Sequence, residues 1–112
     1  APEKLEYPIN RYTMETKRLL DVLDKNLEKR QFVCGDEYNI ADIANYSWYG
    51  YIVLHDAYQA SEFLDVKSYK NVVRWAQEIE GRPAVERGKR VNRPWGDEKT
   101  RVLERHSSAD FK

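Results

Sequence analysis

Few residues in this chain are of types that do chemistry unaided. There is one cysteine, Cys34, and there are two histidines, His55 and His106. Cys34 has no Cys-X-X-Cys partner and no basic neighbour at close spacing to lower its pKa, so it reads as a bystander. The two histidines stand too far apart for a metal site of helical spacing, and no metal is expected. There is no Gly-rich phosphate loop, and no Ser/His/Asp arrangement can be argued. Two other features carry chemical potential. One is an aromatic run, Tyr46, Trp48, Tyr49 and Tyr51; on its own it reads as core. The other is a basic cluster, Arg87, Lys89, Arg90 and Arg93, interleaved with Trp95. A charge run of that kind is usually a solvated face.

The bulk properties set the frame for those residues. The chain has 112 residues, with 19 Lys plus Arg balancing 19 Asp plus Glu. Zero net charge removes the electrostatic footprint of a nucleic-acid binder. No apolar stretch approaches the roughly 20 residues that span a bilayer, so no membrane partner is expected. No basic-then-apolar leader is visible, and a single cysteine favours a reducing cytosol, giving a cytoplasmic expectation. Three Trp, eight Tyr and three Phe are too large an apolar payload for a disordered chain. The length suits one domain.

Periodicity makes the elements helical throughout. Residues 1–8 read as a strand or turn leading in, and a start without Met or a helix cap suggests a piece of something longer. From Ile9 to about Lys29, the residues Ile9, Tyr12, Thr16, Leu20, Leu23 and Leu27 line one face. Asp21 and Lys25 stand four apart in the favourable order. Phe32 and Val33 are apolar anchors before a Gly35-Asp36 turn.

The segment Tyr38-Asn39-Ile40-Ala41-Asp42-Ile43 is a helix start fixed by three devices. Asn39 is the N-cap, Asp42 completes a capping box, and Tyr38 with Ile43 matches a hydrophobic staple. Asn39 and Asp42 are therefore structural. The helix that follows, Ile40 to about Leu54, is apolar nearly all round and predicts a central position covered on several sides. Gly50 within it predicts close approach of a neighbouring backbone. Phe63-Leu64 anchors the loop after it. Ser68 predicts the cap of a further helix with Tyr69, Val72, Val73, Ala76 and Ile79 inward and Gly81 as its stop. Pro83 opens a short helix. The last stretch is charged, with Val102, Leu103 and Phe111 as its apolar handles. No β-alternation and no internal repeat appear.

This series, a long helix, then Phe-Val-Cys-Gly-Asp-Glu-Tyr, then Asn-Ile-Ala-Asp-Ile-Ala, then a Trp-bearing helix ending Gly-Arg-Pro-Ala-Val, resembles the C-terminal domain of glutathione transferases. Within that superfamily it is most similar to the nu-class proteins, which act as glutathione-dependent disulfide-bond reductases. The Ile9-Asn10-Arg11-Tyr12-Thr13-Met14-Glu15 run, Gly81-Arg82-Pro83-Ala84-Val85 and the late Glu104-Arg105-His106 carry the likeness to the class.

The resemblance implies an all-α helical bundle over residues 1–96, its first helix missing or truncated, with a charged extension over 97–112. It implies a thioredoxin-like N-terminal domain outside this chain, which holds the thiol-activating residues; the chain itself carries no catalytic residue. It implies glutathione as co-substrate, a small electrophile or disulfide as second substrate, and a homodimer. Arg11 matches the residue that reaches glutathione between the domains, and its planar fork suits a carboxylate. Trp48, with its neighbours Tyr49 and Tyr12, is what the resemblance offers as candidate lining of the second-substrate pocket. Where relatives often carry Trp-Pro-Trp, this chain has Tyr46-Ser47-Trp48. A different reading is a non-catalytic interaction module, since helical domains of this type also serve in docking.

Overall fold

The computed structural model describes residues 3–89. Among them the ordered elements are helices. The longest, α1 (Glu6–Leu27), begins three residues earlier than the apolar spacing indicates. The expected lead-in turn is therefore partly helical. Pro8 is accommodated because the first four N–H groups of a helix have no internal partner to lose. Leu20, Leu23 and Leu27 are buried, whereas Ile9 and Tyr12, on the same stripe, are exposed. The Asp21–Lys25 pair forms, with Nζ 2.7 Å from the carboxylate.

After α1 the chain makes a tight turn in which Phe32 and Gly35 exchange backbone hydrogen bonds of 2.8 and 3.1 Å. Gly35 has φ of 141°, a conformation that favours glycine. The predicted central helix follows in three pieces: α2 (Ile40–Asn45), a π-helical turn (Tyr46–Gly50) and α3 (Tyr51–His55). The capping box is formed as the residues demand. The backbone N–H of Ala41 donates to Asn39 Oδ1 at 2.9 Å, and the N–H of Asn39 donates to Asp42 Oδ2 at 3.0 Å. Before the cap, Tyr38 sets its ring edge-on to Phe32, with centroids 5.8 Å apart, and Ile43 is half exposed.

Two further expectations for this helix are corrected. It is not covered on several sides: Asp42, Tyr46 and Gly50 form a single buried line, while Ile40 is 80% and Trp48 74% exposed. An all-round apolar sequence records what a helix can bury, and the described elements cover only one stripe of this one. Nor does Gly50 admit a neighbouring backbone. A Cβ there would lie 2.4 Å from the Tyr46 ring, so the close approach is made by a side chain of the same helix.

The next segment turns sharply. Asp56, Tyr58, Gln59 and Asp65 all take left-handed backbone angles. The Asp56 carboxylate accepts from the Ser61 N–H at 2.9 Å, which starts α4 (Ser61–Leu64). Of the expected anchoring pair, Leu64 is buried and Phe63 is exposed. Leu64 packs with Ala60 and Val66, and with Ile52 and Val53 from α3, as a small apolar cluster.

Helix α5 (Lys70–Glu80) buries Val72, Trp75, Ala76 and Ile79. Its cap is not Ser68, which lies in a short 3₁₀ turn (Val66–Ser68). Asp24 of α1 does the work instead, accepting from the N–H groups of Asn71 and Val72 at 2.9 and 3.1 Å. A carboxylate can satisfy two orphan donors at once and also suits the positive end of the helix dipole. In return Arg74 of α5 donates to the carbonyls of Leu27, Arg30 and Gln31 at 3.1, 3.0 and 3.3 Å, closing the end of α1. The Tyr69 hydroxyl donates to the Lys17 carbonyl at 3.4 Å. Burial, followed by the charges of Asp21, Asp65 and Asp24, pushes that phenol above its ordinary value.

The chain divides into two compact units between Ile79 and Glu80. The second holds α6 (Pro83–Gly88), opened by Pro83 as its sequence demands. Within it Lys89 pairs with Glu80 and lies 3.7 Å from Glu86. The expected extension over 97–112, with Val102, Leu103 and Phe111, lies outside the described residues, as do Arg90, Arg93, Trp95 and His106.

Candidate functional site

The first half of α1 carries the charged residues of interest on one face. Arg11, Glu15 and Arg18 follow at spacings of four and three, so all three side chains meet. Arg18 grips Glu15 at two points, with Nε to Oε2 at 3.0 Å and Nη2 to Oε1 at 2.6 Å. Arg11 touches the same carboxylate only loosely, its Nη1 lying 3.6 Å from Oε2. The Arg18 hydrogen bond holds the Glu15 carboxyl below the usual carboxylate range, with smaller contributions from Arg11. Glu15 in turn raises the Arg18 guanidinium further. The trio carries a net single positive charge, and the Arg11 side chain is 58% exposed.

The aromatic candidates differ in exposure. Tyr49, in the π turn, is half-buried. Tyr12 follows Arg11 on α1 and is largely exposed, as is Trp48. Among the described residues no hydrogen bond, ion pair or ring contact joins Tyr12 or Trp48 to Arg11. Thr16 and Ser47 return their hydroxyls to the carbonyls four residues earlier, at 2.9 and 3.0 Å, so neither hydroxyl is aimed outward.

The rigid support behind the π turn is a buried carboxylate. Asp42 is fully buried, yet it is held by donors on every side. Its Oδ1 accepts from the Val33 N–H at 2.9 Å and from the indole N–H of Trp75 at 2.8 Å, while Oδ2 accepts the Asn39 N–H. Buried polar groups are tolerated on that condition. Asp42 thus ties the turn after α1, the start of α2 and the middle of α5 together. Tyr46, one turn along, sets its ring edge-on to Trp75 with centroids 6.3 Å apart.

The remaining chemical candidates do not join this region. Cys34 is exposed in the turn after α1. His55 lies against the Tyr51 ring, with centroids 5.2 Å apart. Among the described residues no group of three or more His, Cys, Asp or Glu is placed to hold a metal ion. No described helix is long and apolar enough to cross a membrane.

Sequence reasoning passed over Glu15, Arg18 and Trp75. The first two were detectable from charge spacing, since Arg11, Glu15 and Arg18 repeat at i, i+4 and i+7. Trp75 stands three residues after Val72 and four before Ile79, squarely within the inward register of α5.

Comparison with known proteins sets this arrangement in a family. Residues 7–83 match the family described as glutathione S-transferase, C-terminal domain. The chain is 58% identical, over 99% of its length, to the disulfide-bond oxidoreductase YghU of Escherichia coli K12, of which it covers 38%. It is 38% identical over 76% of its length to a second disulfide-bond oxidoreductase of that organism, YfcG, covering 36% of it. Among solved structures it is similar to the glutathione transferase YghU of Streptococcus pneumoniae in complex with glutathione. There the TM-score is 0.73 at 54% identity, over 81% of this chain and 35% of that one. The chain thus spans little more than a third of the length of the relatives it matches, and the match lies in their helical part. With most of its residues inside the family match, and all its described elements helical, the chain belongs to the glutathione S-transferase C-terminal domain family.

Proposed function

We propose that this chain is the helical domain of a glutathione-dependent enzyme, a disulfide-bond reductase or transferase. The observation that carries the reading is 58% identity across nearly the whole chain to a protein named as a disulfide-bond oxidoreductase. A related glutathione transferase bears glutathione in its solved structure, which supports glutathione as the co-substrate.

In this reading a thioredoxin-like N-terminal domain, outside this chain, holds glutathione as its thiolate. The thiolate attacks one sulfur of the substrate disulfide, forming a mixed disulfide, and the other sulfur leaves as a thiolate that takes up a proton. A second glutathione resolves the mixed disulfide, releasing oxidised glutathione and the second substrate thiol. Electrons balance, with two glutathiones oxidised for each disulfide reduced. With an electrophilic carbon in place of the disulfide, the same thiolate gives conjugation.

This chain's own part is binding and shape. Arg11, exposed and only loosely engaged by Glu15, offers its fork to a glutathione carboxylate. Tyr12, Trp48 and Tyr49 line the side that receives the second substrate. Asn39 and Asp42 act through the fold, and no residue of this chain is catalytic. The intact protein is a homodimer in the cytoplasm, where a reducing pool keeps glutathione available; the chain's single cysteine, Cys34, agrees with such a compartment. Nothing in the relatives above favours a non-catalytic docking module.

The test is an assay of the full-length protein. Reduction of hydroxyethyl disulfide, or conjugation of an aryl halide, should require added glutathione; the reading fails if neither does. Arg11→Ala should raise KM for glutathione, and an unchanged value removes Arg11 from the site. Light scattering of the same protein reports the dimer.

A further inference from the structure

Two arginines of α1 share one carboxylate, and the sharing is unequal. Glu15 has two oxygens for two guanidinium groups. Arg18 takes both, at 2.6 and 3.0 Å, while Arg11 reaches Oε2 only at 3.6 Å, beyond a normal hydrogen bond. We propose that Arg18 is a positioning residue for glutathione: by occupying Glu15 it keeps that carboxylate from closing on Arg11, leaving the Arg11 fork open to the co-substrate. The inference rests on the reading that Arg11 binds a glutathione carboxylate.

The direction of the competition follows from helix geometry. An acidic residue N-terminal to its basic partner makes the better helical pair, because that order agrees with the helix dipole. Glu15 to Arg18 has this order; Arg11 to Glu15 has the reverse. A two-point fork on a carboxylate is also stronger than a single long ion pair. Glu15 therefore settles on Arg18. The depression of the Glu15 pKa agrees, with Arg18 the larger cause and Arg11 the smaller.

Remove Arg18 and the balance changes. Both Glu15 oxygens become free, Arg11 is the cation one turn away, and the two close into an ion pair. A glutathione carboxylate must then displace Glu15 before it can bind. Because these side chains are at the surface, the competition is of the order of an exposed ion pair, about two- to fivefold in affinity.

The experiment measures KM and kcat for glutathione in disulfide reduction by the full-length protein, with R11A, R18Q, E15Q and the R18Q/E15Q double variant. R18Q should raise KM for glutathione about two- to fivefold, with a smaller change in kcat. E15Q should bind glutathione at least as tightly as the parent. The double variant should return to the E15Q value, since without the competing carboxylate Arg18 has nothing to restrain. A purely structural role for Arg18 would leave the double variant as impaired as R18Q, and that result overturns the proposal. So does an R18Q enzyme with unchanged KM, or an E15Q enzyme with raised KM, which would mean that Glu15 orients Arg11 rather than competing for it. If R11A leaves KM unchanged, the binding role of Arg11 itself is lost. If R11A raises KM and R18Q does not, only the role of Arg18 falls.

Discussion

The indole N–H of Trp75 donates to the buried carboxylate of Asp42 at 2.8 Å, joining residues 33 positions apart in sequence. The same carboxylate oxygen accepts the Val33 N–H, and the other oxygen holds the cap of α2. A residue whose first task is local thus also anchors the core of another helix. Trp75→Phe keeps most of the ring and deletes the donor, so it should destabilise the protein by about 1–3 kcal/mol. Trp75→Ala should cost about 3–5 kcal/mol through the cavity it leaves. Trp48→Ala, at an exposed indole, should cost less than about 0.5 kcal/mol. Urea unfolding followed by far-UV ellipticity ranks the three; equal losses for Trp48→Ala and Trp75→Ala would contradict the burial pattern.

Helix α5 depends on Asp24 for its start. Asp24→Ala removes the acceptor of the Asn71 and Val72 N–H groups and should cost about 1–2 kcal/mol. Amide hydrogen exchange gives the local readout: Asn71 and Val72 should exchange faster in the variant. Unchanged exchange there would mean that another group satisfies these donors.

Gly50 is required by a ring rather than by its backbone angles. Gly50→Ala places a Cβ 2.4 Å from Tyr46 ring carbons, and the resulting overpacking should cost about 1–3 kcal/mol. Replacing Tyr46 by Leu in the same protein should relieve part of that cost. A double-mutant cycle of thermal unfolding measures the relief, and strictly additive losses would exclude the contact.

Glu15 gives a pH prediction with a definite sign. Its folded pKa lies below the ordinary value of 4.5, mainly because Arg18 donates to it. Its contribution is therefore complete above about 4.5, the unfolded value, and is lost as pH falls through the lower folded value. Carbon-detected NMR titration should place the Glu15 midpoint below 4.5, and Arg18→Gln should move it upward. A midpoint indifferent to Arg18→Gln would show that the fork is not formed in solution.

What could be read from the sequence was what is local. The stripe of Leu20, Leu23 and Leu27, the cap at Asn39 and the Pro83 helix start each depend on residues within one or two turns, and each is where the spacing puts it. The cap of α5 could not be read, because Asp24 lies 47 residues before Asn71 and only the tertiary fold brings them together. Ser68, the nearer hydroxyl, is what local spacing offers, and it donates to the Asp65 carbonyl instead. The central helix misled for a different reason: apolar residues on all sides declare a capacity for burial, and the described elements use it only along Asp42, Tyr46 and Gly50. On the candidate site, the Arg11 run draws attention to the first half of α1, but the unequal sharing of Glu15 needed side-chain geometry.

The exchange of end groups between α1 and α5 bears on how the chain folds. Asp24 closes the start of α5, and Arg74 closes the end of α1 across 43 to 47 residues. Each helix end at that junction is closed by a side chain of the other helix, so a peptide covering only Glu6–Leu27 should fray at its C-terminal end. The boundaries sharpen only once a loop of more than forty residues has closed, a non-local event whose entropy must be met before its contacts form. Docking and the completion of both helices are then one kinetic step, and substitutions at Asp24 or Arg74 should slow refolding if that step precedes the barrier.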